Sequence, residues 1–177
     1  MNGRAVLVRR LQPQEWQAYR AIRLRALAAA PEAFGSTLAR EEALADETWA
    51  ARVAKSATSG IDCALVAQQD GQLVGLLWAK VDAQDAGRVN LFQMWVAPEA
   101  RGRGVAAALL DEALGWARSR ASRVVHLGVN NANAGALRLY GRAGFVPIGE
   151  PYLMREGAPH MEQEMRLVLH EAWLPQS

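Results

Sequence analysis

The sequence predicts a mixed α/β domain, of the α+β kind, with a central sheet of about seven strands and helices on its faces. Two observations carry this. Residues 62–96 hold three successive strand-like segments joined by tight turns, and residues 101–129 run from a glycine-rich turn through an amphipathic helix into another strand. The first pattern is an antiparallel meander. The second has the spacing of a right-handed βαβ crossover, so the strands flanking it should be parallel.

Each element follows from its local pattern. Residues 5–9 are a short apolar run before Pro13 and read as a first strand ending in a turn. Trp16, Tyr19, Ile22 and Ala26 recur at helical spacing within residues 14–29, with Pro13 suited to the first turn and Pro31 closing the helix. Residues 32–59 begin acidic and then become periodic around Trp49 and Val53, which predicts a loop and a second helix. Strands follow at 62–69, 73–81 and 88–96, the first two joined by the hairpin turn Asp70-Gly71. In the third, Val89, Leu91 and Trp95 alternate with Phe92, Met94 and Val96, so both faces are apolar and the strand belongs in the middle of the sheet; Gln93 is the polar exception. Ala106, Leu110, Ala113, Leu114 and Ala117 mark a helix packed on that sheet. A strand at 124–129 and a helix at 133–143 come next, with Gly144 where a left-handed cap is wanted. Strands at 145–148 and 161–169, separated by a loop at 150–160, complete the count.

At 177 residues, residues 1–177 are expected to form one folding unit with a sizeable core. The chain is 51% hydrophobic and 21% charged, the balance of a globular protein. It has no apolar run of the roughly 18 to 20 residues that span a bilayer and no signal-peptide pattern, so the expected address is cytoplasmic, with no membrane partner. A formal charge of +2, with basic residues spread along the chain, argues against nucleic acid as a partner. Cys63 is the single cysteine; it has neither a disulfide partner nor a metal-ligand pattern around it and reads as a buried strand residue, so no metal is expected.

The turn Arg101–Ala106, RGRGVA, lies between a buried strand and an amphipathic helix, where free backbone N–H groups and the helix dipole favour an anion. Glycine at Gly102 and Gly104 and the small Ala106 keep the backbone open to a phosphate. A P-loop is excluded because no Lys-Ser or Lys-Thr follows. A dinucleotide-binding Rossmann unit is disfavoured because the strands before the turn form a meander. Further on, Asn133 and Tyr140 are seven residues apart, two helical turns, and share one face. They can face one cleft; equally, Asn133 can cap the helix and Tyr140 can be a core aromatic.

Together these segments resemble the Gcn5-related N-acetyltransferase (GNAT) superfamily. The resemblance rests on Arg101, Gly104 and Ala106 of an Arg/Gln-x-x-Gly-x-Gly/Ala pattern, following the strand end Met94-Trp95-Val96-Ala97-Pro98. It rests equally on Asn133, Ala136, Leu139, Tyr140, Gly144 and Phe145 of an Asn-x-x-Ala-x-x-Leu-Tyr-x-x-x-Gly-Phe pattern.

That resemblance implies a splay between the two central strands and acetyl-CoA as cosubstrate. The backbone of Met94 and Val96 would pair with the pantetheine arm. The amides of Gly102, Arg103, Gly104, Val105, Ala106 and Ala107 would hold the pyrophosphate, and Asn133 would touch the same arm. Arg101, Arg103, Arg138 and Arg142 are candidate neighbours of the phosphates; Arg138 and Arg142 can equally be solvated. An amine would attack the thioester directly, and Tyr140 would protonate the departing thiolate. The strand position that carries a glutamate in some ribosomal-protein acetyltransferases is Gly128 here, and Gln93 is no base. His126, on the same strand face, or a chain of waters is left as the general base. The acceptor amine, the use of longer acyl-CoAs and the oligomeric state, a homodimer included, stay open. Glu32, Glu41, Glu42, Asp46 and Glu47 would attract a cationic acceptor or form a solvated helix face. The missing carboxylate at Gly128 also admits a catalytically silent acyl-CoA sensor or partner-docking module.

Overall fold

Strand-forming runs joined by tight turns build the sheet. β1 (Leu7–Arg10), β2 (Asp62–Gln69), β3 (Gln72–Val81) and β4 (Arg88–Val96) pair antiparallel in that order. The computed structural model describes residues 5–169. Between β2 and β3 the chain reverses at Asp70 and Gly71, both with positive φ of 51° and 76°, the geometry that a two-residue hairpin requires. β4 continues through a glycine turn into α4 (Val105–Ser119), which crosses to β5 (Val124–Asn130), parallel to β4. After α5 (Ala134–Arg142), the short β6 (Val146–Pro147) and β7 (Tyr152–Leu153) both pair with β8 (Met161–Val168), which itself lies antiparallel to β5. The sheet order is β1-β2-β3-β4-β5-β8-β6, with β7 on β8.

Helices cover both faces. α4 buries Leu109, Leu110, Ala113, Leu114 and Ala117 against the sheet, and approaches so closely at Gly75 that a Cβ there would lie 3.2 Å from Leu109 Cδ1. On the other face lie α1 (Trp16–Ala29) and α3 (Asp46–Thr58), where Tyr19 packs its ring 5.9 Å from Trp49 and 5.6 Å from Trp78. Trp49 and Val53 are wholly buried, so truncating Trp49 to alanine should cost about 3–5 kcal/mol. Cys63 is a buried free thiol in β2.

The departures from expectation are local. Residues 32–59 contain two helices: α2 (Leu38–Glu42), capped where Thr37 Oγ1 accepts from Arg40 N at 3.3 Å, precedes α3. Five residues are too few to show a helical period. β7 lies inside the stretch expected to be a loop, making eight strands among the described residues. Phe92, expected on an apolar face, is 48% exposed. The reason is a bulge. Between Leu76↔Trp95 and Trp78↔Phe92, β4 holds one more residue than β3, and Gln93 takes a left-handed φ of 63°. Beyond the bulge β4 stays on β3 as far as Gly75↔Val96, whereas its register with β5 ends at Leu91↔Leu127. The two central strands therefore part, as the resemblance implied, and the cleft opens between them.

Candidate active site

The glycine turn forms one end of this cleft. A single 3-10 turn, Pro98–Ala100, redirects the chain after β4, and Arg101 Nε donates to Val96 O at 2.9 Å. Gly102 and Gly104 then adopt φ of 77° and 76°, a left-handed geometry in which L side chains are strained. Gly104 is the N-cap of α4 and provides no side-chain cap; the first backbone bond to its carbonyl comes from Ala108 N at 2.9 Å. The amides ahead of Ala108 in the first turn are the orphan donors of a helix start. A Cβ at Gly102 or Gly104 would meet no protein atom within 4 Å, so the turn's outer side is open to a ligand.

A cavity of about 830 Å³ spreads over this turn, lined by Met94, Val96, Arg101, Gly102, Ala106, Asn133 and Tyr140 among others. Arg103, Gly104, Val105 and Ala107 are not among its lining residues, and the Val105 side chain is 3% exposed in the core. Arg103 is exposed beside the turn. Arg138 and Arg142 are exposed and do not line it either. The two motif segments thus meet around one space. A second cavity, about 80 Å³, is a throat bounded by Phe92, Met94, Gly128, Asn133 and Tyr140. It shares Met94, Asn133 and Tyr140 with the first cavity and Phe92 and Gly128 with a third of about 560 Å³.

Within the throat, the Tyr140 ring is nearly buried and stands edge-on to Phe145 at 5.8 Å. Burial pushes its phenol up to about 12, so the hydroxyl keeps its proton across the neutral range. Asn133 caps α5, its Oδ1 accepting from Ala136 N at 3.0 Å, and lines the cavity as well, so both sequence readings hold for it.

The third cavity is polar and acidic on one wall. Arg23, Arg88, His126, Tyr152, Glu162 and Glu164 line it, with Phe92 facing them. His126 Nδ1 lies 2.8 Å from Glu164 Oε1, and Arg88 Nη2 lies 3.7 Å from the same oxygen. His126 reaches this cavity but does not line the throat.

The acidic stretch, for which attraction of an acceptor and a solvated helix face are both open, divides in the structure. Glu41 is buried and holds Arg23 through two hydrogen bonds of 3.1 and 2.7 Å, with Arg52 at 3.4 Å. Burial by itself would raise its carboxyl, but these guanidinium partners bring it below its ordinary value. Glu42, Asp46 and Glu47 are exposed on the helices, and Glu32 lines the cavity over the glycine turn. The carboxylates that face the third cavity are Glu162 and Glu164 instead. Their signal in the sequence was two acids alternating in what is otherwise a half-apolar final strand.

The mixed sheet with its splayed central strands defines a domain of the GNAT fold class. The acetyltransferase (GNAT) family model matches residues 14–145, and the chain belongs to that family. It is 34% identical over 138 residues to the mycothiol acetyltransferase of Beutenbergia cavernae, covering 76% of this chain but 42% of that protein. The chain thus spans less than half of that relative's length. Its fold matches the GNAT-family acetyltransferase of Streptococcus pneumoniae with a TM-score of 0.80 at 22% identity, over 94% of this chain and 100% of the other. The spermidine N-acetyltransferase of Vibrio cholerae, solved with CoA and spermine, matches with a TM-score of 0.73 at 17% identity, over 92% of this chain and 95% of that one.

Proposed function

We propose that this chain transfers an acetyl group from acetyl-CoA to an amine by direct attack of the amine on the thioester. The observation that carries the reading is the shared lining of the cavities. Tyr140 and Met94 bound both the space over the glycine turn and the throat, and the throat opens on a wall of carboxylates. Acetyl-CoA suits the first cavity on this chain's own features: orphan amides at a helix start, two glycines whose outer side is free, and Arg101 beside them. In this reading the amides of Gly102 through Ala107 hold the pyrophosphate, and Arg103 contributes its amide in the same way. The backbone of Met94 and Val96 pairs with the pantetheine arm, and Asn133 contacts that arm while capping α5.

The chemistry follows from placement. A neutral amine in the throat attacks the carbonyl carbon, the C–S bond breaks on collapse, and the thiolate takes the Tyr140 proton. Burial keeps the phenol protonated through the neutral range, so it has a proton to give to the sulfur as the C–S bond breaks. The acceptor is an amine small enough, or extended enough, to enter a cavity of about 560 Å³. No observation favours a silent acyl-CoA sensor, and a buried tyrosine at the throat speaks against one.

Two assays test this. Titration calorimetry of the purified chain should show acetyl-CoA binding. A thiol-release assay with spermidine, glucosamine and a pentapeptide with a free N-terminus should show CoA release that depends on one of these amines. Binding with no amine-dependent release would leave a sensor; no binding would remove the cavity assignment.

A further inference from the structure

Gly128 stands where the throat meets the acceptor cavity, lining both, and it brings no side chain of its own. The space above it is nevertheless occupied. A Cβ built on Gly128 would collide with Oε1 and Cδ of Glu162, which reaches over from β8. The sheet register explains how. Glu162 pairs with Asn130 and Glu164 with Gly128, but both side chains lean along β5 toward the next residue on the same face. Glu164 thereby meets His126 Nδ1 at 2.8 Å, and Glu162 comes to rest on Gly128. The two carboxylates differ in what holds them. Glu164 has His126 and Arg88 beside it. Glu162 makes no ion pair among the described residues and shares its hydrogen bond with the neutral phenol of Tyr152.

We propose that Glu162 is the general base of this enzyme, its carboxylate set over Gly128 to take the proton of the acceptor ammonium at the mouth of the throat. This rests on the acetyltransfer reading above. As an ammonium enters, Glu162 removes one proton and the freed nitrogen lone pair attacks the thioester carbon. On collapse the C–S bond breaks and sulfur takes the Tyr140 proton. The second nitrogen proton passes through solvent to the tyrosinate, and Glu162 returns its proton to solvent. One acetamide, one thiol and one proton result from one ammonium and one thioester. Burial, opposed in part by the Tyr152 hydroxyl and reinforced by the Glu164 charge, holds the Glu162 carboxyl above its ordinary range, which makes it the stronger base. The other charged or titratable groups facing this space are Arg23 on α1, Arg88 on β4, His126 on β5, Tyr152 on β7 and Glu164 on β8.

The test uses the amine found active in the release assay, with Glu162→Gln, His126→Gln and the double variant Glu162→Ala/Gly128→Glu. Glutamine keeps the shape and still accepts from Tyr152, so Glu162→Gln should fold and bind acetyl-CoA as the wild type does. Its kcat should fall by about 10²-fold, within the range that a positioned base contributes. The double variant returns a carboxylate to the same space from β5 and should recover at least part of that loss, while His126→Gln should stay within about tenfold of wild type. Glu162→Gln retaining kcat within about threefold overturns the assignment. So does a 10²-fold loss in His126→Gln with Glu162→Gln unaffected, which would make the histidine the base. A wild type that binds acetyl-CoA yet releases CoA with none of the amines overturns the acetyltransfer reading itself, and this base with it.

Discussion

The Tyr19 hydroxyl donates to Gln93 Oε1 at 2.6 Å, tying α1 to the one left-handed residue of the central strand. Gln93 is the pivot at which β4 acquires its extra residue and leaves β5, so a side chain on a remote helix helps to hold the cleft open. Tyr19 is fully buried and its ring is fixed between Trp49 and Trp78. Removing only the hydroxyl in Tyr19→Phe should lower stability by about 1 kcal/mol, read from urea midpoints, because one partly buried hydrogen bond is lost. Acetyl-CoA affinity should weaken in the same variant, since the bulge it steadies presents Met94 to the cavity.

The Arg23–Glu41 pair predicts a pH dependence of stability. Glu41 has a folded-state pKa below its ordinary 4.5, so its contribution is fully present above the unfolded value and is lost as pH falls through the lower, folded value. Wild type should therefore lose stability as pH falls below the ordinary value of 4.5. Glu41→Gln should be weaker by about 3 kcal/mol at pH 7, because it leaves a buried guanidinium without its counter-charge. Urea melts at pH 7 and in acid check this.

The glycine turn predicts a separable loss of binding. Gly104 has a left-handed φ of 76° with open space beyond its Cα, and aspartate tolerates that strained region better than most residues. Gly104→Asp should therefore fold, destabilised by roughly 1–2 kcal/mol. It would place a negative charge at the proposed pyrophosphate site and should weaken acetyl-CoA by at least about tenfold, as read by calorimetry, through like-charge repulsion.

Much of this arrangement is legible in the residues, for physical reasons. The meander, the parallel crossover and the α5 face rest on periodicity and turn chemistry, which are local, and residues 62–69 and 88–96 match β2 and β4 as drawn. Two glycines with φ near 77° and an Asn–Tyr pair on one helix face carry the first cavity and the throat. What the sequence does not show depends on distant strands. The bulge at Gln93 inverts the exposure expected of Phe92 and needs β3 as its reference. Glu41 looks like a surface acid until Arg23, eighteen positions away, is brought against it. Glu162 reaches Gly128 only through the β5–β8 register. The clue available earlier was the gap itself, a glycine in an apolar strand with acids alternating on a later one.

The central claim is that Tyr140 serves the chemistry at the throat and not merely the packing of α5, and Tyr140→Phe tests it most directly. Phenylalanine keeps the ring and its edge-on contact with Phe145. Steady-state kinetics run beside a melting curve and acetyl-CoA calorimetry should show a folded variant that binds acetyl-CoA as tightly as wild type, with kcat reduced by about 10²-fold or more. Wild-type turnover per folded molecule in that variant, with or without a lower melting temperature, would contradict the claim.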